Sequence, residues 1–207
     1  MTTWIFRGGF AIQCTAGMHL LSRARRFTFA AVGGMMVCIA IAEVSVKPTI
    51  VERESFQVIG TEASTNNAKE AGPDAIIGKQ WQRFLGQGLL RQIPDRVDDN
   101  ILAVYTDYAT DANGQYSFIL GAKVKPIPNP KIPSGMVVKT IPAQRFAVFT
   151  SERGPVAKVV IETWKRIWAY YQSPSNGLRA YRADFELYDE RAADPNNAQV
   201  DIYIGVK

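Results

Sequence analysis

Three short phrases occur twice in this chain, in the same order, and this repetition constrains the fold more than any other feature. Phe56-Gln-Val-Ile-Gly-Thr-Glu62 reads like Phe146-Ala-Val-Phe-Thr-Ser-Glu152, and Trp81-Gln-Arg-Phe84 reads like Trp164-Lys-Arg-Ile167. Ser117-Phe-Ile-Leu-Gly-Ala-Lys123 is matched by Asp201-Ile-Tyr-Ile-Gly-Val-Lys207. The two copies, about 48–125 and 134–207, together have the size of one ordinary domain.

Each copy gives the same order of elements. Extended, β-branched and aromatic runs (Thr49 to Glu62; Met136 to Ser151) come first. A helical stretch follows in each. The first runs from about Pro73 through Ile76, Ile77, Trp81, Phe84 and Leu85 to Arg91, and the second from Val156 through Val159, Val160, Trp164, Ile167 and Trp168 to Tyr171. Two strands close each half: Ile101 to Thr110 with Tyr116 to Val124, and Tyr181 to Glu190 with Val200 to Val206. Asp111-Ala-Asn-Gly114 and Asp194-Pro-Asn-Asn197 supply the turns. Pro126 to Pro133 is a linker that cannot pair as a central strand. The expected fold class is α+β: duplicated β-α-β-β units with pseudo-twofold symmetry, an antiparallel sheet and two helices around a cleft.

The formal charge of +5 suggests an anionic partner until its position is considered. Residues 1–42 hold four arginines (Arg7, Arg23, Arg25, Arg26) and no acidic residue, and the remainder has 20 basic against 19 acidic groups. Residues 43–207 thus have no electrostatic footprint for nucleic acid. The leader has the parts of a secretory signal: arginines, the apolar run Phe27 to Ala42, and Ala40-x-Ala42. Cleavage after Ala42 would release a chain starting at Glu43, exported to the periplasm or beyond. Met18 would give the signal an ordinary length. Two alternatives stay open, an uncleaved anchor, the one way this protein would meet a membrane, and a cytoplasmic protein with a miscalled leader.

Both cysteines (Cys14, Cys38) and the one histidine (His19) lie in that leader. Residues 43–207 therefore exclude disulfides, cysteine nucleophiles, histidine bases and Cys/His zinc sites. The acidic cluster Asp184, Glu186, Asp189 and Glu190 lacks the spaced loop of a calcium site, so neither a metal nor a cofactor is expected.

Ile141-Pro-Ala-Gln-Arg-Phe-Ala-Val-Phe149, the Gly154-Pro155 helix start, the Trp-rich second helix and Asp184-Phe-Glu-Leu-Tyr-Asp189 resemble the GyrI-like effector-binding domain. That module ends some AraC- and MerR-type regulators and also occurs free-standing. The resemblance covers about Pro48 to Lys207. It implies an aromatic cleft with a central acidic group that binds lipophilic cations. No segment has the length or charge of a helix-turn-helix domain, so direct contact with DNA is not expected.

On its strand Glu186 shares a face with Asp184 and Tyr188, while Phe185 and Leu187 take the other and are expected to pack on the helices. Aligning the halves sets Tyr105, Thr106 and Tyr108 against Phe185, Glu186 and Tyr188, so Thr106, Tyr108, Glu186 and Tyr188 form one expected pocket face. A carboxylate among rings favours an organic cation, through charge pairing and cation–π contact of about 0.5–2 kcal/mol per ring. The plain alternative is a solvated Glu186 paired with Arg179, Arg182 or Arg191. Trp81 and Trp164 hold equivalent positions and read as packing residues, whereas Trp168 and then Tyr171, further along the same helix, are candidate ligand contacts. The favoured function is non-catalytic binding of a hydrophobic, cationic small molecule. The alternative is a hydrolase with Glu186 as general base and Tyr105 or Tyr108 as hydrogen-bond donor.

Overall fold

The computed structural model describes residues 47–207 apart from 127 and 129, and the backbone of 27–32 and 35–40. Phe27–Val32 (β1) and Met35–Ala40 (β2) pair antiparallel, Phe27 opposite Ala40 and Val32 opposite Met35, within a unit of their own ending at Ser45. The expected start at Met18, the cleavage point at Ala42, Cys14 and His19 lie outside the described residues.

The second unit begins with Thr49–Arg53 (β3) and Phe56–Thr65 (β4), then a short helix Asn67–Glu70 (α1) and the helix Ile77–Gly86 (α2). Ile101–Thr106 (β5) and Tyr116–Val124 (β6) complete the first half. Val137–Ile141 (β7), Gln144–Thr150 (β8), the helix Val156–Tyr170 (α3), Arg179–Tyr188 (β9) and Asp201–Val206 (β10) form the second. Eight strands make one antiparallel sheet in the order β3-β8-β10-β9-β5-β6-β4-β7. Among the described residues no helix is long and apolar enough to cross a membrane.

Each expected opening strand proves to be two. The first run breaks at Glu54-Ser55 and the second at Pro142-Ala143, where proline has no N–H to continue a ladder. β3 leaves its own half to pair with β8, Val51 opposite Phe146, and β7 pairs with β4, Ile141 opposite Phe56. Each half thus edges the other with its first strand. Arg53 at one edge and Phe56, next to the other, are three residues apart, which spans at most about 11 Å. The sheet must therefore curl, and the Ser55 hydroxyl ties the corner by donating to the Ile141 carbonyl at 3.0 Å.

The helices cover one face of the sheet. α2 packs Phe84, with Trp81 and Ile77, on Ile59, Phe118 and Leu120, and α3 packs Ile167 on Ala147, Ile202 and Ile204. Each fully buried side chain of this kind contributes about 1.5–3 kcal/mol. Expected beneath the helices, Phe185 and Leu187 lie instead on the opposite, concave face with Phe146, Val104, Ile119 and Tyr203. Strand alternation separates the two sets, but the curl makes both faces apolar, so apolarity alone does not tell which one the helices cover.

α2 is shorter than the expected Pro73–Arg91. Gly88, at φ +60°, lies just past its end, and Leu89–Gln92 forms a separate 3-10 turn. Its start is held by the Glu70 carboxylate, which accepts the Ile76 and Ile77 amides at 3.1–3.2 Å. The strand expected to reach Thr110 ends at Thr106, because Asp107 turns to φ +53°.

Candidate functional site

Between the areas covered by α2 and α3 the central strands β5 and β9 carry polar side chains. Glu186 of β9 faces the helices and is 3% exposed. Its Oε1 accepts hydrogen bonds from the Tyr105 hydroxyl at 2.8 Å and the Trp164 indole N–H at 2.6 Å, and its Oε2 accepts from the Tyr188 hydroxyl at 2.6 Å. No ion pair among the described residues involves it. Burial raises its carboxyl above the usual range, while the bonds from Tyr188, Trp164 and Tyr105 pull in the other direction. The hydroxyls of Tyr105 and Tyr188 are pushed up in turn, first by burial and then by the Glu186 charge.

Rings from both helices enclose this carboxylate. Trp81 of α2 meets Tyr188 edge-on at 4.8 Å, and Trp164 of α3 meets Tyr105 at 5.2 Å. Trp168 lies 6.2 Å from Trp164 and is 42% exposed, so it sits at the outer rim.

Asp184, two residues along the same face, is a contrasting carboxylate. It is fully buried and takes the guanidinium of Arg179, the Tyr108 hydroxyl at 2.6 Å and the Gly205 amide at 2.8 Å. Tyr171 packs instead against Tyr170 at 5.1 Å and Phe149 at 6.3 Å, and burial, more than the neighbouring Tyr170, pushes its hydroxyl up to about 12. Tyr116 links the two groups, 5.6 Å from both Tyr105 and Tyr108.

The structure brings Glu186, Tyr105 and Tyr188 together, places Tyr108 with Asp184, and sets Tyr171 against Tyr170 and Phe149. It removes Thr106 from the pocket. Pairing of β5 with β9 sets Ala103 opposite Glu186, Tyr105 opposite Asp184 and Thr106 opposite Ala183, so Thr106 points to the concave side and donates to the Arg182 carbonyl at 3.1 Å. Matching Thr106 to Glu186 sets the two halves out of step by one face, since a one-residue slip inverts a strand. The arginines considered as partners are engaged elsewhere or apart from it: Arg179 with Asp184, and Arg191 with Asp189 and Asp201, while Arg182 is exposed. Trp164, read as packing, is a direct partner of Glu186. A half-buried tryptophan N–H needs an acceptor, and that signal was available in the sequence.

A family of integron-associated effector-binding proteins, Cass2, matches residues 49–206, the whole of the sheet and its helices. The chain belongs to this family. YobU of Bacillus subtilis, named as a candidate transcriptional regulator, is 34% identical over 154 residues, 72% of this chain and 90% of YobU. The transcriptional regulator BrlR of Pseudomonas aeruginosa is 31% identical over 159 residues, 76% of this chain, which spans about half (54%) of BrlR. The solved integron cassette protein VCH_CASS2 of Vibrio cholerae is 28% identical, with a TM-score of 0.61 over 78% of this chain and 97% of its own. SAV2435, solved with tetraphenylphosphonium bound, shares the fold at 19% identity, with a TM-score of 0.64 over 78% of this chain and 94% of its own. As a member of this GyrI-like effector-binding family, this chain carries a small-molecule-binding module, and the family is not one of known enzymes.

Proposed function

We propose that the protein binds a hydrophobic organic cation over Glu186, between α2 and α3, without chemical turnover. The carrying observation is a buried carboxylate with three hydrogen-bond donors and, among the described residues, no ion-pair partner. Donors hold the charge in place but do not neutralise it, so a ligand cation gains both the charge pairing and the faces of Trp81, Trp164 and Tyr105. Tetraphenylphosphonium on a protein of the same fold supports this chemistry. A general base would have to reach a water with oxygens that already accept three hydrogen bonds, which favours an electrostatic role over hydrolysis.

Calorimetry with tetraphenylphosphonium and a neutral aromatic of equal size tests the reading. Glu186→Gln is expected to weaken the cation by about tenfold or more, roughly 1–3 kcal/mol, and to spare the neutral compound. Equal cation affinity in both proteins would refute it. We further propose that the protein works after export, supported by the arginine, apolar and Ala40-x-Ala42 order. N-terminal sequencing of protein recovered from a bacterial host should begin at Glu43; a full-length cytosolic product overturns this.

A further inference from the structure

The concave face of the sheet, away from the helices, holds a cavity of about 850 Å³, within the range of small-molecule sites. Its floor is aromatic and aliphatic: Phe185 and Tyr203 stack at 4.3 Å, Phe56 stands edge-on to Phe185 at 5.7 Å, and Leu102 and Leu187 extend the surface. Glu186 and its tryptophans are on the other side of the sheet.

Two cations stand over the rings of this floor, and Glu52, Glu54, Asp98 and Lys125 also line the cavity. Strand alternation points Arg53, with Val51, towards the concave side and turns Glu52 away. The Arg53 guanidinium lies 5.5 Å from the centre of the Tyr203 ring and donates to its hydroxyl at 3.2 Å. Lys123, opposite the concave-face Val58, sets its ammonium 5.3 Å from the centre of the Phe56 ring. Neither cation has an acidic partner among the described residues. Of the other acids lining the cavity, Asp98 accepts the Asn100 amide, and Glu54 is exposed on the corner loop.

We propose that this cavity is a second small-molecule site, one that takes an organic anion: an apolar body laid on Phe56, Phe185 and Leu187 with its carboxylate between Arg53 and Lys123. The two faces of one sheet then select opposite charges, a carboxylate under rings on the helix side and cations over rings on the concave side. The inference does not depend on the cation reading of Glu186, because it shares no residue with it.

Decanoate and the uncharged decanol, titrated calorimetrically into the full chain, are the probes. Decanoate is expected to bind about one to one and decanol at least tenfold more weakly. Arg53→Gln and Lys123→Gln, both at exposed positions, should each reduce decanoate affinity about tenfold and leave tetraphenylphosphonium affinity unchanged. Trp81, Trp164 and Trp168 all sit on the helices, so with the fourth tryptophan removed by Trp4→Phe decanoate should leave tryptophan emission unaltered. Leu187→Trp, which fills the floor, should abolish decanoate binding. The proposal is overturned by no decanoate binding, by decanol binding equally well, by unchanged affinity in both Gln variants, or by competition between decanoate and tetraphenylphosphonium. A concentration-dependent dimer that buries Tyr203 in place of decanoate binding would also overturn it.

Discussion

An ionised Glu186 in the unliganded protein bears a desolvation cost that three hydrogen bonds do not cancel, and its direction can be worked out. The folded carboxyl lies above its unfolded value of about 4.3. Its contribution to stability is then fully present below that unfolded value and is lost as pH rises through the higher, folded one. Cation affinity runs the opposite way and grows over the same interval. Glu186→Gln imitates the protonated state: the amide oxygen can still accept from Tyr105 and Trp164, and its NH₂ can donate to the Tyr188 oxygen. The variant is expected to melt roughly 2–4 °C higher near neutral pH, a gain of about 1 kcal/mol, and to lose the decline on going up from pH 4. Melting curves at several pH values decide it, and a variant less stable than wild type at neutral pH would rule it out. That Glu186 and Tyr188 share a face was legible from strand alternation, while which face the helices cover was not. Thr106 was misplaced because the match between halves had to be right to one residue, and the loosely similar sequences Tyr105-Thr-Asp-Tyr108 and Phe185-Glu-Leu-Tyr188 cannot fix that register.

Among the elements, β4 and β6 approach more closely than side chains would allow. Gly60 faces Gly121 across the ladder, and a Cβ on Gly121 would come within 2.1 Å of the Ile59 carbonyl oxygen and 2.6 Å of the Gly60 Cα. Both obstacles are backbone. Gly205, in the last strand of the second half, is less confined: a Cβ there would meet the Ala183 oxygen at 2.7 Å and the flexible Gln144 side chain at 2.8 Å, beside a register shift that gives the strand some freedom. Gly121→Ala should therefore cost about 3 kcal/mol in urea unfolding and Gly205→Ala about half of that. Equal or reversed losses would show that the two strands are packed differently from this account. Helix α3, both hairpin turns and the closing strands could be read from period and turn chemistry. The splitting of each opening run could not, since Thr49 to Glu62 keeps a strand pattern throughout, and only Pro142 marks a corner in the second copy. A pattern of period two says that a segment is extended and does not say which strand it joins.

Across the whole molecule, the strand order leaves neither half with a complete sheet of its own. The first half places β3 on the edge formed by β8, and the second places β7 on the edge formed by β4. Separated, the halves would leave β4 and β8 as bare edges and would also expose the edge of β5 that pairs with β9 and the edge of β9 that pairs with β5. The site is divided as well: Trp81 and Tyr105 come from the first half, and Trp164, Glu186 and Tyr188 from the second. A cut in the linker 126–133 should therefore yield two fragments that aggregate or stay unfolded when made alone. Made together, they should form a one-to-one complex, because all the paired edges are then available at once and outweigh the association entropy that the intact linker spares. That complex should bind tetraphenylphosphonium, and neither fragment should. Gel filtration and cooperative thermal unfolding of each fragment and of the mixture provide the measurement. A single fragment that is monomeric and unfolds cooperatively would mean that the first strand folds back onto its own half, and that the exchange of β3 and β7 does not hold the sheet together.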